Sequence, residues 1–113
     1  MDIGGVHFPT TTELKEISRD KYVELWTNSM ISIFSLISDR LTIAAEQGST
    51  ETTIVCFDSD YKCVDLHSVK DRDYILTKIM EVDENFSVEI RDHDYEEYNQ
   101  GKEYSGVDIT ISW

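Results

Sequence analysis

Apolar residues recur at helical spacing along one long stretch of the chain. Between Arg19 and Gly48, Tyr22, Trp26, Met30, Ile33, Ile37, Leu41 and Ala44 follow at steps of three and four, the period of an α-helix. Val23, Leu25, Phe34, Ile43 and Ala45 widen the stripe into a face that needs burial. Gly48 suits the position past the helix end, where a left-handed residue closes the last turn. Upstream, Thr10 and Glu13 have capping-box spacing and open a short helix over Thr11 to Ile17. Asp20 is a second candidate cap, so a bend is expected near Ser18–Asp20. Residues 1–9 read as an extended lead-in with a flexible Gly4-Gly5, whose Ile3, Val6 and Phe8 pack on the core or add an edge strand.

Downstream the period shortens to two. Thr52 to Phe57 is a β-branched run and reads as a strand, apolar on both faces in its middle. Asp58-Ser59-Asp60 is turn chemistry, and Tyr61 to Leu66 alternates weakly, as a second short strand pairing with the first would. Ser68 with Asp71 caps a helix from Val69 to Val82, whose apolar set is Tyr74, Ile75, Ile79 and Val82. Phe86, Val88 and Ile90 alternate with polar residues, as do Val107, Ile109, Ile111 and Trp113. These two segments predict an antiparallel pair with one buried face and one wet face. The expected fold is a single α+β domain over residues 1–113. The long helix and the 69–82 helix pack on one face of a three- to four-stranded, mainly antiparallel sheet.

Charge adds the next constraint. The 113 residues hold 23 acids against 10 bases, a net −13. The excess is uneven: residues 1–57 carry −4 and residues 58–113 carry −9. Such a surface repels nucleic-acid phosphate and anionic membranes and favours basic protein partners, although it also serves plain solubility. Spaced carboxylates can further imitate phosphates in the groove of a DNA-binding protein. The N-terminal MDIGGVHFP lacks a basic region and an apolar core, so it does not read as a signal peptide. The long helix carries Glu24, Asp39, Arg40 and Glu46, which rules it out as a membrane span. A cytoplasmic protein is expected. Cys56 and Cys63 form no CxxC pair, and reduced, buried thiols are expected, with a hairpin disulfide as the alternative.

Catalytic motifs are lacking. There is no GxSxG, HExxH, phosphate-binding glycine loop or GxGxxG, and His7, His67 and His93 are scattered, so no enzyme, cofactor or metal is expected. Asp58-Ser59-Asp60 opens like a calcium loop but has Cys63 at the glycine position and Val69 at the final acid, so a tight turn is the better reading. The candidate binding element is the connection from Asp92 to Gly106, long for a hairpin. Asp92, Asp94, Glu96, Glu97 and Glu103 supply carboxylates there, Tyr95, Tyr98 and Tyr104 are interleaved, and Lys102 is the one base. Tyrosines bring contact area and carboxylates complement Arg and Lys surfaces, so this loop is expected to bind a basic partner. A solvated loop is the plain alternative.

The element order carries a resemblance. A long helix ends in AAEQG (Ala44 to Gly48) and leads into a β-branched strand. Then come a helix with DYILTKI (Asp73 to Ile79), the strand FSVEIRD, an acidic Tyr-rich loop and a terminal DITISW. Over residues 20–113 this resembles the small, uncharacterised acidic α/β proteins of large tailed bacteriophages. The resemblance implies a class of roles. One is a protein in the host cytoplasm that binds and inhibits a host enzyme or defence complex; the other is a virion or assembly component. The latter would self-associate as a homodimer through the long helix, whose apolar set is wide enough for a core face and an interface.

Overall fold

The computed structural model describes residues 2–93 and 105–113. Asp2–Ile3 (β1) and Val6–His7 (β2) pair as a small hairpin of their own rather than joining the main sheet. Gly4 and Gly5 both take positive φ, 57° and 81°, which a tight hairpin turn of this hand requires. Thr10 then caps helix α1, its hydroxyl accepting the Glu13 N–H at 3.2 Å. The Glu13 carboxylate meets the Thr10 hydroxyl and His7 instead of reaching back to the Thr10 amide.

Helix α1 runs unbroken from Thr11 to Glu46, so the bend expected near Ser18–Asp20 does not occur. Neither Gly nor Pro stands there, and an Asp inside a helix costs only a few tenths of a kcal/mol against the neighbouring residues, too little to break the hydrogen-bond ladder. The helix ends as its sequence requires. Gly48, at φ 83°, lets the Ser49 N–H reach the Ala44 carbonyl and the Gly48 N–H reach that of Ala45.

Glu51–Phe57 (β3), Ser87–His93 (β4) and Gly106–Ser112 (β5) form an antiparallel sheet in the order β3-β5-β4. The register sets Ile109 between Ile54 and Ile90, and Ile111 between Thr52 and Val88. These side chains share the inner face. Against them pack Met30, Ile33 and Ile37 of α1 and Ile75 and Ile79 of helix α2, which spans Val69–Val82. The outer face carries Thr53, Thr110, Glu89 and Arg91, with a hydroxyl contact of 3.0 Å between Thr53 and Thr110. One covered face and one polar face account for the alternation in β5.

One expectation is met in part and another changes. The β3 strand, whose apolar middle suggests a position covered on both sides or next to another strand, does lie beside β5, at a sheet edge that leaves Val55 exposed. Residues 61–66 are not a strand. A 3-10 turn over Asp58–Asp60 and a left-handed Cys63 (φ 65°) coil the chain, so Tyr61, Val64 and Leu66 are buried without pairing in the sheet. In α2, Ser68 caps through the Asp71 N–H at 3.1 Å, and Asp71 itself turns inward. That carboxylate, 4% exposed, accepts the Trp26 indole N–H at 3.1 Å and the Asp65 N–H at 2.8 Å. It fastens α1, the coil and α2 to one another.

The molecule is 67 Å in its longest dimension. Before Leu25, no residue of α1 except Glu13 is even half-buried, so the first turns of the helix and the β1–β2 hairpin extend from the body as an arm.

Candidate functional site

In β4, Val88, Ile90 and Asp92 point to the helix-covered face, as strand alternation dictates. The first two join the core. Asp92 emerges at the end of the sheet, where the start of α2 meets it. Its Oδ1 accepts from His67 Nδ1 at 2.7 Å and from the Arg72 guanidinium. The other ring nitrogen of His67, Nε2, lies 2.8 Å from Asp58 Oδ2. The connector sets His67 in place: its backbone N–H donates to Asp65 Oδ1 at 3.0 Å, and the Ser68 hydroxyl donates to the Asp65 carbonyl at 2.9 Å. Arg72 is held by its Nε bond to the Leu66 carbonyl at 2.6 Å. Residues from the 3-10 turn, the connector, α2 and β4 thus converge.

A carboxylate on each ring nitrogen is satisfied only when both nitrogens carry protons. The Asp92 hydrogen bond raises the His67 pKa above its ordinary 6.5; partial burial opposes this and Asp58 adds to it. Asp92 moves the other way, below its ordinary 3.8, held by His67 first and Arg72 second. Ser105 Oγ lies 3.5 Å from Nε2, so Ser105, His67 and Asp92 stand in the order of a hydrolytic triad. Asp58 Oδ2, at 2.8 Å, is nearer to Nε2 than the Ser105 hydroxyl and competes with it for that nitrogen. The group is an electrostatic clamp. It gathers the ends of β3 and β4 at the place where the 94–105 connection leaves and rejoins the sheet.

Of the residues expected to bind a partner, Asp92 is the one among the described residues, and His67 and Arg72 already engage it. Asp94, Tyr95, Glu96, Glu97, Tyr98, Glu103 and Tyr104 lie outside the described residues. Asp58, His67 and Arg72 were not expected at a site. They sit in a turn, a coil and a helix, and no local pattern signals their meeting. On the outer face of the sheet His93 Nδ1 lies 2.6 Å from Asp108 Oδ1, whose buried oxygen has no well-angled hydrogen bond. Among the described residues no three His, Cys, Asp or Glu side chains are grouped to hold a metal ion. Both cysteines are free thiols. Burial pushes Cys56 up to about 11, and its hydrogen-bond partner Tyr61 rises to about 12.

The helices leave an open apolar groove of about 670 Å³ between Phe34 and Leu41 of α1 and Tyr74 and Val82 of α2, with Phe86 at its far end. It marks where the apolar stripe of α1 outruns what a three-stranded sheet covers. No helix among the described residues is long and apolar enough to cross a membrane. No family model matches the sequence, and neither a curated protein nor a solved structure matches the chain.

Proposed function

We propose that this chain is a non-enzymatic acidic protein that docks on a basic protein and inhibits or modulates it, within the host cytoplasm if the phage resemblance holds. A nucleic-acid-handling or defence factor is the kind of target such a surface suits. The observation that carries this reading is the separation of charge. Residues 58–113 hold 15 acids and 6 bases, whereas residues 1–57 hold 8 and 4. In the body, Arg72, Lys78 and Arg91 are each engaged by a carboxylate of the same chain, Asp92, Glu81 and Glu89. The carboxylate excess therefore remains for an outside cation, and such contacts steer association and weaken with salt. A carboxylate on each ring nitrogen of His67 favours its protonated form over a free base, which supports docking over catalysis.

The test is capture from a bacterial lysate on the immobilised chain at low salt, beside an immobilised polyaspartate of similar charge. A discrete basic protein retained by the chain but not by polyaspartate, and released by salt, is expected. Identical captures on both matrices would overturn the reading. A second reading, an assembly component that self-associates through the long helix, is favoured by the exposed arm.

A further inference from the structure

The sheet stops at β4. Away from β5, the backbone from Ser87 to Asp92 pairs with no other strand among the described residues, so a row of N–H and C=O groups stands open. The β4–β5 ladder runs without a bulge, and β4 holds no proline to blunt its outer side. Its inner face is unfinished as well. Ile54 and Ile109 are 2% and 0% exposed, yet Ile90, the third isoleucine of that row, is only half-buried, as is Val88 beside Ile111. The helical cover is complete over β5 and thins at the β4 edge. We propose that this edge pairs antiparallel with the same edge of a second copy of this chain, about a two-fold axis through Ile90. Two three-stranded sheets thereby join into one of six. The contact lies on the sheet and not on the long helix, and it stands independently of the docking reading.

The charges of β4 select that occupant. Residues directly opposite in an antiparallel pair share a face. About Ile90, Glu89 comes opposite Arg91 of the second copy, and Arg91 opposite its Glu89, all on the polar outer face. Arg91 Nε meets Glu89 of its own chain at 2.7 Å, and the guanidinium has further N–H groups for the carboxylate across the seam. On the inner face Ile90 meets its own copy, so the row Ile54, Ile109, Ile90 continues into the second molecule. Val88 comes level with Asp92, whose carboxylate His67 and Arg72 already hold. A slip of two residues either way would set Glu89 against Glu89 or Arg91 against Arg91. A slip of one would turn the apolar face of one strand onto the wet face of the other. One register satisfies both faces.

The seam is also neutral within an acidic molecule. From Ser87 to Arg91 the strand holds one acid and one base, while the chain as a whole carries −13. Charges farther from the seam are screened beyond roughly 10 Å at 0.1 M salt. Pairing with β3 of another copy would instead set Glu89 and Arg91 against the uncharged Thr53 and Val55 in the middle of that strand, and it would repeat without end. The two-fold contact is closed, so it yields a dimer and not a filament. Residues 88–92 of each copy lie opposite one another and exchange roughly five interstrand hydrogen bonds. A contact of that size forms and dissociates with concentration.

Sedimentation and light scattering of the full chain at physiological salt test this. The expected mass rises with concentration from 13.1 kDa towards twice that value. Glu89→Arg alone sets like charges opposite one another at both outer pairs, and Arg91→Glu alone does the same with the other sign. Each is expected to weaken the dimer roughly five- to ten-fold, as two exposed pairs are reversed at once, with native circular dichroism. The double variant Glu89→Arg/Arg91→Glu restores the dimer. So does mixing the two single variants, since each then meets its opposite across the seam and associates better with the other than with itself. A chain of 13.1 kDa at every concentration would leave the edge to a strand of another protein and overturn the proposal. So would a dimer indifferent to both single reversals, or a mixture that associates no better than its components alone.

Discussion

Truncating Asp71 to alanine removes the acceptor that joins α1 to α2. Its carboxylate is 4% exposed and holds two donors, the Trp26 indole N–H and the Asp65 backbone N–H. A buried donor left without a partner costs about 1–3 kcal/mol. The two donors are not equivalent. Trp26 borders an open cleft of about 340 Å³ with Tyr22, Val23 and Tyr74, so water can reach its N–H and that loss falls near the lower limit. The Asp65 amide donates the shorter bond, 2.8 Å, and bears the fuller penalty. Removing a buried charge returns part of the cost. The expected net loss is about 3 kcal/mol. With a urea slope of about 1.5 kcal/mol/M, that lowers the unfolding midpoint by roughly 2 M. Asp71→Asn keeps one acceptor and turns an N–H toward the other donor, so it should fall about halfway. Asp73→Ala, at an exposed position on the same helix, should stay within about 0.5 kcal/mol of the native chain. The assay is urea unfolding followed by circular dichroism and Trp fluorescence in parallel. If Asp71→Ala unfolds within 1 kcal/mol of Asp73→Ala, roughly the cost of one ordinary hydrogen bond, the fastening role assigned to Asp71 is wrong.

The clamp makes a prediction of sign. The folded pKa of His67 lies above its ordinary 6.5, so its stabilisation is complete below that value and fades as pH rises through the folded pKa. Asp92 is depressed below 3.8, so its share is present above that pH and fades as acid protonates it. The thermal midpoint should therefore fall from pH 6 to pH 9 more in the native chain than in His67→Gln. Both carry the same growing self-repulsion, so equal slopes would remove His67 from the account. For Gly106→Ala, the added Cβ would stand 2.2 Å from the Cys56 carbonyl oxygen. A loss of about 1–3 kcal/mol is expected from parting β5 from β3 there, and an unchanged melting temperature would refute the close approach. Cys56, raised to about 11 and buried, should resist iodoacetamide at pH 8 while half-buried Cys63 reacts; matched labelling rates would contradict this.

The parts of the fold that local chemistry decides were readable in advance. Ser68 and Asp71 mark the start of α2 because a cap needs only its own next three residues. Gly48 marks the end of α1 for a similar reason. The β4–β5 pairing followed from period-two alternation, since one slip of register would put Ile109 and Ile111 in water. What depended on distant partners was not readable. Tyr61, Val64 and Leu66 alternate like a strand, yet a left-handed Cys63, the bond from the Asp65 N–H to Asp71 and the hydroxyl of distant Ser29 donating to the Lys62 carbonyl hold them as a coil. Ser18–Asp20 held capping residues that no chain break required. The clamp was the least visible, because His67, Asp58 and Asp92 become neighbours only once both edge strands have paired with β5.

The strand order has a consequence for how the chain acquires its structure. Of the three strands β5 comes last in sequence and sits in the middle, pairing Phe57 with Gly106 on one side and His93 with Gly106 on the other. Strands β3 and β4 make no ladder with each other. During synthesis both wait without partners until the final strand has left the ribosome, while α1, closed by bonds within itself, can form early. The slow step of folding is then the insertion of β5 between two edges already present, a late closure over long sequence distances. Until it happens, those open edges are the surfaces on which the nascent chain is most exposed to misassembly, and a chaperone that holds it would find them there.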